Sequence, residues 1–277
     1  MRHSEFGWMT GDGLKIFARE WMPKEVNPKG IVCLVHGFGE HSGRYPHLAE
    51  HLTAEGYGIF SFDLRGHGKS GGQRGHTPGY EAFMDDISLL LKEARQRHPD
   101  IPGFLYGHSM GGNLVLNYAL RKRPEIKGVI ATSPWLRLTT PPPAIAVALG
   151  RIISIFNPAS SRSNNLDSKG LSHDPEVVSA YDKDPLVNRL ISLKTFISIT
   201  DSGRWALDNA AGFSLPLLLM HGSADPVTCP KASEEFAGKA AGNCTLKIWE
   251  GLYHETHNEP QQKDIFSFVT QWLNKHL

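Results

Sequence analysis

One stretch decides the fold of this chain: Phe104-Leu105-Tyr106-Gly107-His108-Ser109-Met110-Gly111-Gly112. Its apolar start is typical of a buried strand, and residues 113–120 have helical spacing. The pattern G-x-S-x-G between them is weak evidence alone, because chance also produces it. Between a strand and a helix it is typical of a sharp turn that presents a serine nucleophile. We therefore predict that Ser109 is a nucleophile; the alternative is a glycine-rich turn with an incidental serine.

Short apolar runs alternate with helical stretches on both sides of this turn. We predict strands over 31–35, 57–62, 103–106, 128–131, 217–220 and 245–249, and helices over 45–55, 80–97, 112–121 and 231–239. Such alternation favours parallel pairing in a sheet that is covered on both faces. The pieces 6–9 and 14–21 flank the turn Thr10-Gly11-Asp12-Gly13, so the sheet is predicted to begin with an antiparallel hairpin.

The alternation breaks between about Leu136 and Ala206. This segment contains Pro141-Pro142-Pro143 and an apolar run, and no strand is obvious in it. We interpret it as a mainly helical cap over the carboxyl edge of the sheet. The predicted division is a core of residues 1–135 and 207–277, with a cap of residues 136–206.

The apolar run of this cap, residues 144–156, contains a single charge, Arg151. Such a run must be buried or meet a lipid surface. Two alternatives are open. The helix packs wholly against the cap and core, or it borders the mouth of a pocket and docks on membranes or micelles.

A nucleophilic serine needs a histidine base, and the base needs an acid to orient it. Asp225 and His254 each follow a predicted strand, so both lie in loops at the carboxyl edge of the sheet. The alternatives are a helix N-cap for Asp225 and a surface histidine for His254. His257 competes as the base, but it lies farther from the strand end. Asp201 and Asp208 compete as the acid, but both precede the strand.

Acyl transfer also needs two N–H groups that stabilise the negative oxygen of the tetrahedral intermediate. One is predicted to be the amide of Met110, which follows the nucleophile. The other is predicted to be the amide of Phe38 in the loop His36-Gly37-Phe38-Gly39-Glu40, where glycines let the backbone turn. The alternative is an ordinary turn between a strand and a helix.

Composition excludes several other classes of protein. The 277 residues carry a formal net charge of +1 and no basic cluster, so we expect no nucleic-acid partner. The three cysteines lie far apart without C-x-x-C spacing, which argues against a disulfide framework or a zinc site. We expect no cofactor and no metal. No signal peptide or membrane-spanning run is visible, so the cytoplasm, with peripheral membrane contact left open, is the expected compartment. The sequence predicts no oligomeric state.

Several motifs together resemble the monoacylglycerol lipase and lysophospholipase branch of the α/β-hydrolases. They are H-G-F-G-E-H-S-G-R-Y at 36–45, F-D-L-R-G-H-G-K-S at 62–70, G-H-S-M-G at 107–111, D-P-L-V at 184–187, G-S-A-D at 222–225 and E-G-L-Y-H-E-T-H-N-E at 250–259. The first of these is the most specific to the branch. The resemblance covers both halves of the core and is weaker in the cap.

The resemblance implies an α/β-hydrolase fold with a mostly parallel eight-stranded sheet flanked by helices, a helical cap, and hydrolysis without a cofactor. It implies Ser109, Asp225 and His254 as the catalytic triad, with the amides of Phe38 and Met110 as the oxyanion hole. Residues matching the polar end of the family's pocket are predicted to bind substrate: Glu40, Arg44, His108, Tyr181 and His257. Glu40 and Arg44 are four apart and share a face if a helix starts there; the alternative is a surface ion pair.

The predicted activity is cleavage of a carboxylic ester, with a monoacylglycerol or another single-chain lipid ester as the binding partner. A lysophospholipase, a general carboxylesterase and an aminopeptidase remain alternatives, because fold does not determine substrate. A non-enzymatic binding protein on the same scaffold is disfavoured, because all three triad residues are present.

Overall fold

A computed structural model describes residues 1–240 and 242–277 of the chain. Eight strands form one sheet, and their bounds are β1 Arg2–Met9, β2 Lys15–Met22, β3 Gly30–Val35, β4 Tyr57–Phe62, β5 Gly103–His108, β6 Gly128–Thr132, β9 Leu217–Gly222 and β10 Cys244–Trp249. A separate pair consists of β7 Ser161–Ser163 and β8 Leu190–Ser192. The eight-stranded sheet has the order β1-β2-β4-β3-β5-β6-β9-β10. β1 and β2 are antiparallel, β2 is antiparallel to β4, and the remaining neighbours are parallel. The predicted sheet, including its antiparallel start, is confirmed.

Helices cover both faces of this sheet. Their bounds are α1 Pro46–Ala54, α2 Tyr80–Arg97, α3 Met110–Lys122, α4 Ala144–Phe156, α5 Pro175–Lys183, α6 Leu193–Asn209, α7 Pro230–Lys239 and α8 Gln262–Lys275. Alternate side chains of the buried strands enter two separate cores, because successive residues of a strand point to opposite faces. Cys33 of β3 packs in the core under α2, α3, α6 and α7, whereas Leu34 packs in the core under α1 and α8. The sheet therefore holds the ends of its strands rigidly between two helical layers.

The turn between β5 and α3 is built on close backbone approach. Ser109 has φ 54° and ψ −115°, a conformation that side chains rarely adopt. A Cβ on Gly107 would lie 2.3 Å from the carbonyl oxygen of Gly111, and a Cβ on Gly111 would lie 2.1 Å from that of Val35. Only glycine fits at both positions, so the turn lifts Ser109 above the sheet while α3 packs directly against β3 and β5.

The segment between β6 and β9 contains α4, β7, α5, β8 and α6. The expectation that it lacks strands is wrong in one detail, because β7 and β8 pair antiparallel. Strands of three residues are too short to show alternation in the sequence. The predicted boundary at 206/207 falls inside the continuous helix α6, whose buried Ile199 and Ala206 join the core cluster. We therefore propose that α6 belongs to both cap and core.

The helix α4 does not pack wholly against the protein. Gly150 is its only buried residue, and large apolar side chains such as Ile155 and Phe156 are exposed by 74% and 85%. None of the described helices is long and apolar enough to cross a membrane. Of the two alternatives for this apolar run, the one in which the helix packs wholly against the cap and core is therefore excluded.

Candidate active site

Three loops at the carboxyl edge of the sheet bring Ser109, His254 and Asp225 together. Ser109 follows β5, Asp225 follows β9, and His254 follows β10. His254 Nε2 lies 2.9 Å from Ser109 Oγ, and His254 Nδ1 lies 2.7 Å from Asp225 Oδ2. A serine, an imidazole and a carboxylate in this order form the geometry needed to activate a hydroxyl for attack on a carbonyl.

Asp225 is a fully enclosed carboxylate that accepts hydrogen bonds on both oxygens. Oδ1 accepts from the amides of Val227 and Thr228 at 2.7 and 3.0 Å. Oδ2 accepts from the Thr228 hydroxyl at 2.8 Å and from His221 Nε2 at 3.0 Å, besides His254. Burial alone would raise the pKa of Asp225, but the charge of His254 and these bonds outweigh it and hold the pKa far below its usual range. The group is therefore ionised.

His254 is held from its backbone as well as from its ring. Ser133 Oγ donates to the carbonyl of His254 at 2.7 Å, and the amide of His254 donates to the carbonyl of Gly170 at 3.3 Å. Burial would lower the pKa of His254, but the neighbouring Asp225 carboxylate outweighs burial and raises it above the ordinary value. The imidazole is thus positioned to accept a proton, and its protonated form is stabilised.

The amides of Phe38 and Met110 lie in the two loops that border Ser109. Met110 is the first residue of α3, and its amide has no partner within the helix. Among the described residues, neither amide donates to a protein acceptor. A Cβ on Gly37 would lie 3.1 Å from Ser109 Cβ, so the Phe38 loop passes directly over the nucleophile. Both amides are available to an oxygen of a bound substrate.

Ser109 lies in a cavity of about 530 Å³ between the core and the cap. Much of its wall is apolar and comes from the cap and the adjoining loops: Trp135, Leu138, Leu171, Ile191, Phe196 and Val227. The prolines Pro141, Pro142 and Pro143, directly before α4, also line it. The remaining wall is polar and includes Glu40, Asn164, Asn165, Tyr181 and Glu255. The cavity therefore suits an amphiphilic molecule with one apolar and one polar end.

A buried charge cluster forms the base of the polar wall. Arg44 donates to Glu255 through two bonds of 2.6 and 2.8 Å and to Glu40 Oε2 at 3.1 Å. Glu40 Oε1 accepts from the amide of Gly37 and the hydroxyl of Tyr45. The pair of Glu40 and Arg44 is thus nine-tenths buried, and the alternative of a surface ion pair is wrong.

The two carboxyls of this cluster differ in pKa. Burial raises the pKa of Glu40 above its usual value despite the opposing charge of Arg44. Burial also acts against the charge of Glu255, but the bidentate contact with Arg44 outweighs it and holds the pKa of Glu255 well below its usual range.

The residues predicted to bind substrate divide into two groups. Glu40, His108 and Tyr181 line the cavity, and the Tyr181 hydroxyl is buried without a hydrogen-bond partner among the described residues. Arg44 and His257 are not among the described residues that line it. His257 is fully buried, stacks on Tyr45 at 4.9 Å and meets the ring of His108 edge-on at 4.7 Å. The structure thus places Arg44 and His257 behind the wall, where they support it.

Other sequence-based candidates lie elsewhere. Asp201 forms an exposed ion pair with Arg151, and Asp208 is exposed on the same helix. Neither is within the network of Asp225. No three His, Cys, Asp or Glu side chains of residues 1–240 and 242–277 are arranged to hold a metal ion.

Sequence reasoning missed Glu255, His221, Thr228 and Ser133. Glu255 directly follows His254 in the motif at 250–259, so its place in that motif could have indicated a role. The other three act through partners between 3 and 121 residues away in the chain, and nothing in their local sequence marks them.

The chain matches known proteins over most of its length. Residues 26–261 match the protein family described as serine aminopeptidase, S33. A monoacylglycerol lipase of Mycolicibacterium smegmatis is 34% identical, with 99% of this chain and 98% of that protein aligned. An uncharacterized abhydrolase domain-containing protein of Dictyostelium discoideum is 36% identical over the whole chain, which spans 30% of that protein's length.

A solved structure shows the same fold. The crystal structure of Paleococcus ferrophilus monoacylglycerol lipase superposes with a TM-score of 0.87 at 37% sequence identity, covering 95% of this chain and 99% of that one. By sequence and fold together, the chain belongs to the monoacylglycerol lipase family of α/β-hydrolases and is a carboxylic ester hydrolase.

Proposed function

We propose that this chain hydrolyses monoacylglycerols to a fatty acid and glycerol through an acyl-enzyme on Ser109. One observation carries the proposal: the hydrogen-bonded series from Ser109 through His254 to Asp225 opens into a cavity with an apolar wall and a polar wall. The names of the M. smegmatis and P. ferrophilus relatives support the same substrate class.

In the proposed reaction, Ser109 Oγ attacks the ester carbonyl while His254 Nε2 accepts its proton. The amides of Phe38 and Met110 stabilise the negative oxygen of the tetrahedral intermediate. His254 then returns the proton to the departing glycerol oxygen, which leaves an acyl ester on Ser109. Water attacks this ester with His254 again acting as the base, so that fatty acid is released and the serine is restored. Asp225 keeps Nδ1 of His254 protonated throughout.

The charge of the polar wall favours a neutral head group over a phosphorylated one. Both hydrogens on Nη1 of Arg44 are taken by carboxylates, and Nη2 also donates to Glu255. The cluster holds one guanidinium and two carboxyls, so it has no net positive charge in either protonation state of Glu40. A phosphate would find no free cation there and would face Glu40 and Glu255. Hydroxyls of glycerol, in contrast, can bond to these oxygens and to the free Tyr181 hydroxyl.

We also propose that α4 docks on a lipid surface. Its exposed apolar side chains are Ile145, Leu149, Ile152, Ile153, Ile155 and Phe156. The three prolines that precede this helix line the cavity, so a lipid surface against α4 would lie next to the cavity mouth. A single-chain ester could then leave that surface and reach Ser109 without crossing bulk water.

The first prediction separates the two buried histidines. His254→Ala should lower kcat for a soluble p-nitrophenyl ester by several orders of magnitude, because triad members act as one unit. His257→Ala should keep most of kcat, because His257 only supports the wall through His108 and Tyr45. Steady-state kinetics on both variants, with circular dichroism to show folding, would reveal the opposite pattern if His257 were the base.

The second prediction concerns the head group. Moving a phosphate from water into a site whose one guanidinium is already paired costs its desolvation, with no free opposite charge to offset that cost. In matched detergent micelles, kcat/KM for 1-oleoylglycerol should therefore exceed that for 1-oleoylglycerol 3-phosphate by roughly tenfold or more. Glu255→Gln should narrow this ratio. Glu176→Gln, which removes the same charge from an exposed position on α5, should leave it unchanged.

Two results would contradict this account of the substrate. Equal rates on the neutral and phosphorylated esters would favour a lysophospholipase. Equal rates on 1-oleoylglycerol and a triacylglycerol in the same micelles would favour a general carboxylesterase.

The third prediction concerns the cap. Replacing Ile152 and Ile155 with Asp should weaken co-sedimentation with phosphatidylcholine liposomes, because both side chains are more than half exposed on α4. Hydrolysis of a soluble short-chain ester should be nearly unchanged. The matched control replaces the equally exposed Met9 and Val26 with Asp, which should leave liposome binding unaffected. Unchanged binding by the α4 variant would argue against a docking role.

A further inference from the structure

We propose that His221 is a positioning residue for this reaction: its Nε2–H donates to Asp225 and holds the carboxylate that orients His254. His221 is the penultimate residue of β9 and is fully buried. It is not among the described residues that line the cavity, so it does not touch the substrate. The proposal rests on the catalytic role proposed above for Asp225.

The surroundings of His221 determine which ring nitrogen carries the hydrogen. Nε2 lies 3.0 Å from Asp225 Oδ2 and 3.1 Å from the carbonyl oxygen of Thr228. An ionised carboxylate and a carbonyl can only accept, so Nε2 must be the donor. With Nε2 as the donor, Nδ1 can accept the hydroxyl hydrogen of Ser233, whose Oγ lies 2.7 Å away. Ser233 thereby gives Nδ1 a hydrogen-bond partner in the tautomer that donates to Asp225.

These contacts extend the series of the active site by two members. Hydrogen bonds connect Ser109, His254, Asp225, His221 and Ser233 in that order. Ser233 lies on α7 and is itself fully buried, so the far end of the series is anchored in a helix of the core. A carboxylate held from both sides has little freedom to rotate away from the imidazole.

Asp225 Oδ2 shares its charge among His254, His221 and Thr228. Removing one donor leaves more negative charge for the other two, which stabilises protonated His254 and raises its pKa further. His254 must be neutral to accept the serine proton. The fall of kcat/KM on the acidic side of its pH profile, called the acid limb below, should therefore move to higher pH. The other titratable groups near His254 are Glu40, Glu255, His108 and His257, and none contacts His221.

The test compares two substitutions at this position on a soluble p-nitrophenyl ester. His221→Leu removes the donor; it should lower kcat roughly tenfold, leave KM unchanged and shift the acid limb upward by about half a pH unit or more. His221→Gln places an amide N–H where Nε2 stands, and it should restore most of kcat and the wild-type limb. Wild-type values for kcat and the limb in a folded His221→Leu variant would overturn the proposal.

Ser233→Ala provides a second route if His221→Leu does not fold. Without the hydroxyl, the buried Nδ1 loses its hydrogen-bond partner and the ring is held less firmly against Asp225, so kcat should fall several-fold at constant KM. Ser61→Ala is the matched control, because Ser61 is equally buried, makes one hydrogen bond to the carbonyl of Leu34 and has no contact with Asp225. If no leucine variant could be measured, identical kinetics for Ser233→Ala and Ser61→Ala would overturn the proposal. Retention of wild-type kcat by Asp225→Asn would instead refute the triad itself.

Discussion

The candidate active site depends on one buried carboxylate. Removing Asp225 from water is costly, and the cost is offset only because its two oxygens accept bonds from two amides, a hydroxyl and two imidazoles. Those donors come from the loop after β9, the loop after β10 and β9 itself. Satisfying this charge therefore fixes the relative positions of the loops. The strained conformation of Ser109, which Gly107 and Gly111 permit, places the hydroxyl within hydrogen-bond distance of His254.

The same principle organises the polar wall of the cavity. Glu40 and Glu255 are buried around a single guanidinium, and their bonds to Gly37 and Asn258 connect the cluster to the loops of Phe38 and His254. The cluster thus supports both sides of the site while leaving no cation free for an anionic head group. The apolar lining residues from the cap offer no hydrogen-bond partner to a second polar head group. In the proposed function, recognition and catalysis are therefore built from the same loops.

Much of this arrangement could be predicted from the sequence because it is encoded locally. The turn at Ser109 requires glycines at fixed spacing, and Asp225 and His254 each lie in the loop that follows a predicted strand. Much of what could not be predicted depends on partners distant in the chain. Arg44 meets Glu255 across 211 residues, and Ser133 meets His254 across 121 residues. The burial of His257 behind the cavity follows from its stacking on Tyr45, which no local pattern reveals.

The pair β7 and β8 is too short to show periodicity in the sequence. The helix α6 crosses the predicted cap boundary because its inner face continues the core.

The central claim is that Ser109, activated by His254 and Asp225, is the only nucleophile in ester hydrolysis. Mass-spectrometric mapping of the adduct formed by a fluorophosphonate tests it most directly, because the reagent modifies only an activated serine and its product mimics the tetrahedral intermediate. The account predicts one adduct per chain, on the peptide that contains Ser109, with ester hydrolysis lost in proportion to labelling. An adduct on a different residue, or continued hydrolysis by fully labelled protein, would contradict it.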